Sequence, residues 1–161
     1  MDVIIDDGYR AEEMRSIVDI EGLVAFAAAS EHKPENSEVS ISFVDDGRMQ
    51  ELNRDYRGLD RPTDVLSFEC DNLDDGFMVP VDDDEVPYEL GDIVIAPDVA
   101  ERQAPEYGLD LADELSLLLV HGTLHLCGYD HLDDSEALEM EQRETAILSE
   151  FYGRPFKREA D

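Results

Sequence analysis

The sequence predicts one α/β (α+β) domain across residues 1–161, built as a mixed sheet of about four strands covered by helices. Three observations lead to this prediction. The chain has 161 residues, of which 42% are hydrophobic, and this is enough for one domain with a real core. Short apolar runs typical of strands alternate with longer segments that have the period of helices. No internal repeat and no linker rich in Pro, Gly or Ser divides the chain.

The amino-terminal part of the chain is expected to contain two strands and two helices. The alternation of Val39, Ile41 and Phe43 predicts a strand with one face on the core. Met49 and Leu52 are spaced to point inward from a short helix. In order, the predicted elements are a strand at 1–7, one helix at 10–30, a strand at 37–46 and a helix at 46–56.

The carboxyl-terminal part adds two strands, at 63–69 and 91–97, and three helices, at 98–103, 111–126 and 134–151. Segment 91–97 is almost continuously apolar, which is typical of a strand at the centre of a sheet. The run "LSLLLV" before residue 121 is apolar on nearly every face, so its helix is predicted to be buried. Residues 71–92 hold nine acids and no base, and we expect a mobile, solvated loop there.

The charge of the chain limits its partners. It has 42 acidic side chains against 12 lysines and arginines, a net charge of −30. Such a surface repels nucleic acids and anionic membranes over most of its area, so a polyanionic partner needs a local basic patch. Adaptation to high salt and lineage composition are both open as reasons for this balance.

The compartment follows from weak but consistent signals. No apolar run comes near the length of about 20 residues that a helix needs to span a bilayer. The amino-terminal "MDVIIDDGYR" has acids where a signal peptide carries basic residues. Cys70 and Cys127 lie far apart without CxxC spacing, so no disulfide framework is indicated. We therefore expect a cytoplasmic protein with no membrane partner.

Three of the four histidines lie within residues 121–131, "HGTLHLCGYDH". On a helix, His121 and His125 are one turn apart and about 40° apart around the axis, so both imidazoles can reach one point. Gly128 can end the helix and let His131 turn back toward them. Three imidazoles with an open fourth position are typical of catalytic zinc sites. The alternative is that these histidines only pack in the core or cap the helix.

The neighbouring residues refine this interpretation. Cys127 lies about 200° from His125 around the helix, which favours core packing over metal binding. Tyr129 and Asp130 either orient an imidazole or only form the turn. The spacing matches the metallopeptidase pattern H-E-x-x-H-x-x-G-x-x-H, but Gly122 replaces the general-base glutamate. The pattern therefore indicates a hydrolytic metal site and argues against peptide hydrolysis.

The segment "HGTLHLCGYDH" resembles the signature H-G-x-L-H-L-x-G-Y-D-H of the YbeY endoribonuclease family, the bacterial rRNA maturation factors. Two further blocks agree in order, "ELNRDYRGLDRPTDVLSFE" at 51–69 and "GDIVIAPDVA" at 91–100. The resemblance covers nearly the whole chain. It implies a metal-dependent endoribonuclease, specific for single strands, that acts in maturation of the 16S rRNA 3′ end and in ribosome quality control. RNA of the 16S precursor and the small ribosomal subunit are then the expected partners, and DNA is not.

By the same resemblance, His121, His125 and His131 are the ligands of one Zn²⁺ per chain, and Arg57 is the functional arginine. Arg57 belongs to a basic cluster of four arginines within 14 residues, with Arg48, Arg54 and Arg61. We expect Arg48 and Arg61 to pair with neighbouring acids. Arg57 is predicted to face the metal across a cleft and to bind phosphate oxygens with its planar guanidinium.

Other functions stay open at this point. A metallohydrolase of peptides or small molecules is one alternative, and a non-catalytic ribosome assembly factor with structural zinc is another. Within the endoribonuclease hypothesis, water and the 2′-hydroxyl of the RNA are both possible nucleophiles. We expect the acidic segment 71–92 to lie away from the metal, because uncompensated acids there would repel RNA.

Overall fold

The computed structural model describes residues 1–70 and 88–158. Its four strands are β1 (Asp2–Ile5), β2 (Ser37–Phe43), β3 (Val65–Glu69) and β4 (Tyr88–Ile95). They form one mixed sheet in the order β1-β2-β4-β3. β1, β2 and β4 are mutually parallel, and β3 runs antiparallel to β4. The predicted fold class is confirmed, and the apolar segment near the end of β4 lies inside the sheet as expected.

Six helices complete the described fold: α1 (Ala11–Ile17), α2 (Ile20–Ser30), α3 (Asp46–Arg57), α4 (Pro97–Gln103), α5 (Leu111–Leu126) and α6 (Asp134–Tyr152). A 3₁₀ turn at Ala104–Tyr107 joins α4 to α5. None of the helices in the described part of the chain is long and apolar enough to cross a membrane.

The prediction of one helix over 10–30 is wrong, because the chain breaks at Val18 and Asp19. Val18 has extended backbone angles and ends α1. The Asp19 carboxylate then accepts the backbone N–H of Gly22 at 3.1 Å and starts α2. An aspartate at this position satisfies an otherwise unpaired helix donor, and its effect cannot be seen in apolar spacing alone.

The main core lies on one face of the sheet. Val39, Ile41 and Phe43 alternate inward along β2, as predicted. α2 and α5 cover this face, and α6 packs on both of them. α5 is almost completely buried between the sheet and the other helices, which confirms the burial expected for that helix.

A smaller core lies on the opposite face. Met49 of α3 packs there with Leu66 and Val94, and Leu52 adds to the same cluster. α3 and α5 therefore cover opposite faces of the β3–β4 part of the sheet.

The acidic segment is only partly described. Residues 71–87 lie outside the described residues, so the expectation of a mobile loop away from the metal stays a prediction there. Residues 88–92 are not loop, because β4 begins at Tyr88 and pairs with β2 and β3. Backbone pairing with β2 holds this segment, Gly91 and Asp92 also pair with β3, and the acidic Glu89 side chain stays exposed.

Candidate metal centre

Helix α5 positions two of the three histidines. Asp110 caps its amino terminus by accepting the backbone N–H of Asp113 at 2.8 Å. The apolar run that follows is buried against β3 and β4. His121 and His125 are half-buried near the carboxyl end, one turn apart. The buried helix thus fixes the backbone of both residues.

The end of α5 brings in the third histidine. Gly128 has a φ of +105°, a conformation that favours glycine. The Gly128 N–H donates to the His125 carbonyl, and the Tyr129 N–H donates to the Leu124 carbonyl, each at 3.0 Å. This pair of bonds is a Schellman motif, which reverses the chain direction after the helix. His131 then lies exposed beside the other two imidazoles.

The three histidines form one cluster. One ligand atom from each of His121, His125 and His131 lies within 4.8 Å of the others. Nε2 of His121 and Nε2 of His125 are 3.1 Å apart. Two nitrogens bound at about 2.0–2.1 Å to one tetrahedral zinc lie roughly 3.3 Å apart, so this spacing suits a shared ion.

Hydrogen bonds on the far sides of the rings leave the facing nitrogens free to bind a metal. Nδ1 of His125 donates to the Tyr129 carbonyl at 2.9 Å. Nδ1 of His121 lies 3.3 Å from a carboxylate oxygen of Glu144. With a proton on each Nδ1, both Nε2 atoms carry lone pairs that point toward each other. Such a pair is unfavourable without a cation between the nitrogens, so the donor set fits a metal.

The electrostatics favour the neutral imidazole that a metal requires. Burial lowers the pKa of His125, and the nearby His121 and His131 lower it further. A proton therefore competes weakly for His125 near neutral pH.

Glu144 was not identified from the sequence. It lies on α6 with 6% of its surface exposed, 23 residues after His121. A carboxylate that accepts a hydrogen bond from a metal-binding histidine fixes the ring and raises its basicity. One signal was present, because Glu144 shares the buried stripe of Met140, Ile147 and Leu148 on α6. A charged residue in such a stripe needs a partner.

Gly122 allows α5 to approach the sheet closely. A Cβ atom at this position would lie 3.0 Å from Cγ2 of Ile93 and 3.2 Å from Oγ of Ser67. Ser67 in turn donates to the Gly122 carbonyl at 3.3 Å. The position that holds glutamate in the metallopeptidase pattern is thus packed against β3 and β4 and leaves no space for that side chain.

The remaining residues of the motif have separate roles. The Tyr129 main chain, rather than its side chain, orients an imidazole. The Asp130 carboxylate accepts the backbone N–H of His131 at 2.8 Å and so forms the turn. Cys127 is half-buried outside the histidine cluster, and burial raises the pKa of its thiol to about 11. The interpretation of Cys127 as packing is consistent with this environment.

A small cavity of about 90 Å³ lies beside His121, lined in part by Asp64, Glu114, Glu144 and Arg158. Glu114 is fully buried on α5, and burial raises the pKa of its carboxyl. Its Oε1 accepts from Nε2 of Gln103 at 2.8 Å, and the same nitrogen donates to Asp64 at 2.7 Å. This network was not identified from the sequence, because its members come from different elements: Asp64 precedes β3, Gln103 ends α4 and Glu114 lies on α5.

Arg57 is the last residue of α3, where Gly58 caps the helix in the left-handed region. Its side chain is exposed and forms no hydrogen bond or ion pair with the other described residues. Tyr56 beside it packs edge-on against Phe68, with ring centroids 5.2 Å apart. Because Phe68 and Ser67 point to opposite faces of β3, α3 and α5 lie on opposite sides of this strand.

Arg57 therefore lies at the end of α3, and β3 separates α3 from α5, which carries His121 and His125. In the described sheet β3 is an edge strand, so a long side chain has a route around it. That Arg57 faces the metal stays a prediction.

The other members of the basic cluster differ from one another. Arg48 pairs with Glu51 at 3.0 Å, as expected. Arg54 pairs with Asp55 at 3.4 Å. Arg61 was expected to pair as well, but its side chain has no ion pair within residues 1–70 and 88–158. Its backbone is held instead, because Nδ2 of the buried Asn53 donates to the Arg61 carbonyl. Among the described residues, Arg57 and Arg61 are thus the members of this cluster whose guanidinium groups have no ion pair.

Comparison with known proteins gives consistent matches. A family model described as Endoribonuclease YbeY matches residues 6–152. A Bacillus mycoides protein named Endoribonuclease YbeY is 43% identical over 153 residues, covering 94% of this chain and 97% of that protein. A Geobacillus protein of the same name is 47% identical over 132 residues, covering 82% and 84%. The solution structure of a Thermotoga maritima protein is similar with a TM-score of 0.61 and 27% identity, covering 94% of this chain and 89% of that one.

Proposed function

The chain belongs to the YbeY endoribonuclease family, and from this membership we propose that it is a zinc-dependent enzyme that cleaves single-stranded RNA. Its proposed substrate is the 3′ region of the 16S rRNA precursor, on or near the small ribosomal subunit, with a further role in ribosome quality control. The site is proposed to consist of His121, His125 and His131 as metal ligands and Arg57 as the residue that binds phosphate.

One observation carries this proposal: two Nε2 atoms face each other at 3.1 Å while both Nδ1 atoms are engaged elsewhere. His131 completes a set of three nitrogen donors, and within the described residues this set leaves a fourth position for water or substrate. Structural zinc sites usually close with four protein ligands, so an open set of three supports catalysis over a structural role. Zinc is preferred because neutral imidazoles in a tetrahedral arrangement suit it.

Each residue of the proposed site has a defined task. The Tyr129 carbonyl holds the Nδ1 proton of His125, and Glu144 holds that of His121, so both rings stay in the metal-binding tautomer. His131 lies on the exposed side, where an RNA phosphate can approach from solvent. Bound zinc would supply Lewis acidity toward a phosphoryl oxygen and acidify a coordinated water.

Arg57 is proposed to bind the non-bridging oxygens of the scissile phosphate. Phosphodiester cleavage concentrates negative charge on these oxygens, and a guanidinium binds two of them at once. Its side chain is free of ion pairs within the described chain, unlike Arg48 and Arg54. A protein with a net charge of −30 depends on such local cations to hold RNA.

Cleavage of a single-stranded RNA from the 16S 3′ region by zinc-loaded protein tests the proposal. We expect cleavage by the wild type and loss of both cleavage and zinc in His121→Ala. His32→Ala is the matched control, because His32 is exposed and outside the cluster. Cleavage by His121→Ala at the wild-type rate contradicts the proposal. Zinc bound at full stoichiometry without any RNA cleavage favours the alternative of an assembly factor.

A further inference from the structure

Most cations of this acidic protein are already neutralised. All 12 lysine and arginine side chains lie in the described residues, and seven arginines form ion pairs with Asp or Glu. Within the described chain, the cations without an ion pair are Lys33, Arg57, Arg61, Lys157 and Arg158. Two of these five are adjacent, in the segment that follows α6. This second basic group was not identified from the sequence.

Lys157 and Arg158 line a cavity of about 420 Å³. Other residues that bear on its chemistry are Tyr107, Glu141, Thr145 and Phe156. The volume falls within the roughly 300–1,000 Å³ of typical small-molecule sites. The segment that carries the cations is anchored, because Phe156 is 5% exposed and its N–H donates to Oγ of Ser149 at 3.0 Å.

The cavity has the chemistry that binds a nucleotide. The Arg158 guanidinium carbon lies 3.6 Å from the centroid of the Tyr107 ring, so this side chain contacts the ring face, and Arg158 is an exposed residue. Bases of single-stranded RNA stack on arginine planes as they do on aromatic rings. Lys157 is exposed and offers a compact positive charge to a phosphate. The Glu141 carboxylate can accept a hydrogen bond from a base amino group.

This cavity adjoins the candidate metal centre. Glu144 and Arg158 line both it and the smaller cavity beside His121. The Glu144 carboxylate is directed to Nδ1 of His121. A nucleotide in the larger cavity would therefore lie next to the histidine cluster, on the α6 side.

The local charge of this cavity permits an anion to bind, whereas most of the protein surface repels anions. Lys157 and Arg158 balance the two acids of the cavity wall, Glu141 and Glu144. The wall is thus close to neutral in a protein with a net charge of −30. The repulsion that opposes RNA over most of the surface is relieved here.

We propose that this cavity, with Lys157 and Arg158, is a substrate subsite that holds one nucleotide of single-stranded RNA flanking the cleaved bond. Lys157 binds its backbone phosphate, and its base stacks on the free face of Arg158. The proposal rests on the endoribonuclease function proposed above and adds a position at which the RNA chain is held.

Binding of a short fluorescein-labelled oligoadenylate to zinc-loaded protein tests the subsite. Anisotropy gives the affinity as a function of salt, and a gel after each titration shows whether the RNA is intact. We expect Lys157→Gln to reduce the slope of log K against log salt by about 0.7, the value for one contact with a single strand. Arg158→Gln should weaken binding about tenfold through lost stacking. Arg158→Lys should keep the salt slope while losing the stacking contribution.

Arg154→Gln is the control for the loss of one charge on the same segment. Arg154 pairs with Asp113 at 2.9 Å and does not line the cavity. The Arg154→Gln substitution should leave RNA affinity unchanged, and all of the variants should still bind zinc. In cleavage assays, Lys157→Gln and Arg158→Gln should raise KM with little change in kcat.

Equal RNA affinity in Lys157→Gln, Arg158→Gln and Arg154→Gln would overturn the subsite. A lowered Tm with unchanged RNA affinity in Lys157→Gln and Arg158→Gln would overturn it as well, because the two cations would then only stabilise the segment that follows α6. If the wild type binds RNA with the expected dependence on Lys157 and Arg158 but leaves it intact, the subsite stands and the proposed endoribonuclease function fails.

Discussion

The carboxylate of Glu144 lies 3.3 Å from Nδ1 of His121, although the two residues are 23 positions apart and on different helices. α6 packs along α5 and brings this buried acid to the back of the histidine cluster. Glu144 thereby selects the tautomer in which Nε2 of His121 faces Nε2 of His125.

Glu144→Gln is expected to lower zinc affinity by about 10- to 100-fold, the usual cost of removing such a partner. The amide keeps the shape of the side chain but loses the negative charge, so its oxygen is a weaker hydrogen-bond acceptor for Nδ1 of His121. Competition with a chromophoric chelator measures the affinity. Glu150→Gln, an exposed change on the same helix, is the control and should leave it unaltered. Equal affinities in the two variants would remove Glu144 from the site.

Gly128→Ala is expected to reduce both stability and zinc affinity. No atom lies within 4 Å of an added Cβ, so the cost arises from the backbone at φ +105° and is about 1–2 kcal/mol. Strain at this residue also shifts His131, which follows it in the turn. Gly153→Ala is the control, because Gly153 caps α6 at φ +65° with equally open surroundings.

Chemical denaturation and zinc titration of these two glycine variants separate the effects. Both should be destabilised, but only Gly128→Ala should bind zinc more weakly. An unchanged zinc affinity in Gly128→Ala would mean that the Schellman turn does not control the position of His131.

Arg57→Ala is expected to lower kcat for RNA cleavage, with fold and zinc content preserved. A lost charge-assisted contact in the transition state costs on the order of 2–4 kcal/mol. Arg57→Lys should recover only part of the rate, because the planar fork is absent. Arg48→Ala is the control, since Arg48 is already paired with Glu51. Full activity in Arg57→Ala would end its proposed role.

The contribution of His125 to the stability of the metal-free protein should fall as the pH drops below about 6.5. Its folded pKa lies below the ordinary value of 6.5, chiefly through burial. The unfolded chain therefore takes up a proton first, and the contribution is complete above about pH 6.5 and lost as pH falls through the folded pKa.

His125→Asn isolates this contribution, because the asparagine amide can still donate to the Tyr129 carbonyl. Urea unfolding of chelator-treated protein between about pH 7.5 and 5 measures it. The difference in unfolding free energy between wild type and variant should shrink toward low pH. Glu114, whose folded pKa is raised, contributes in the opposite direction but equally to both proteins. A difference that is constant with pH would contradict the expectation.

The sequence by itself determined the mixed four-strand sheet, the histidine motif and the order of the elements, apart from the break between α1 and α2. These features depend on local spacing: the period of apolar residues, the one-turn separation of His121 and His125, and the glycine that ends α5. Where one side chain interrupts a continuous apolar pattern, as Asp19 does, spacing alone predicted the wrong boundary.

Only the tertiary structure decided which distant residues meet at the site. Glu144 and Arg158 approach His121 because α6 and the following segment pack against α5, a contact without a periodic signal in the sequence. The close approach of Gly122 to Ile93 and the position of Arg57 beyond β3 likewise depend on how helices are placed on the two faces of the sheet. Such contacts arise from packing between elements, where the free energy is shared by residues far apart in the chain.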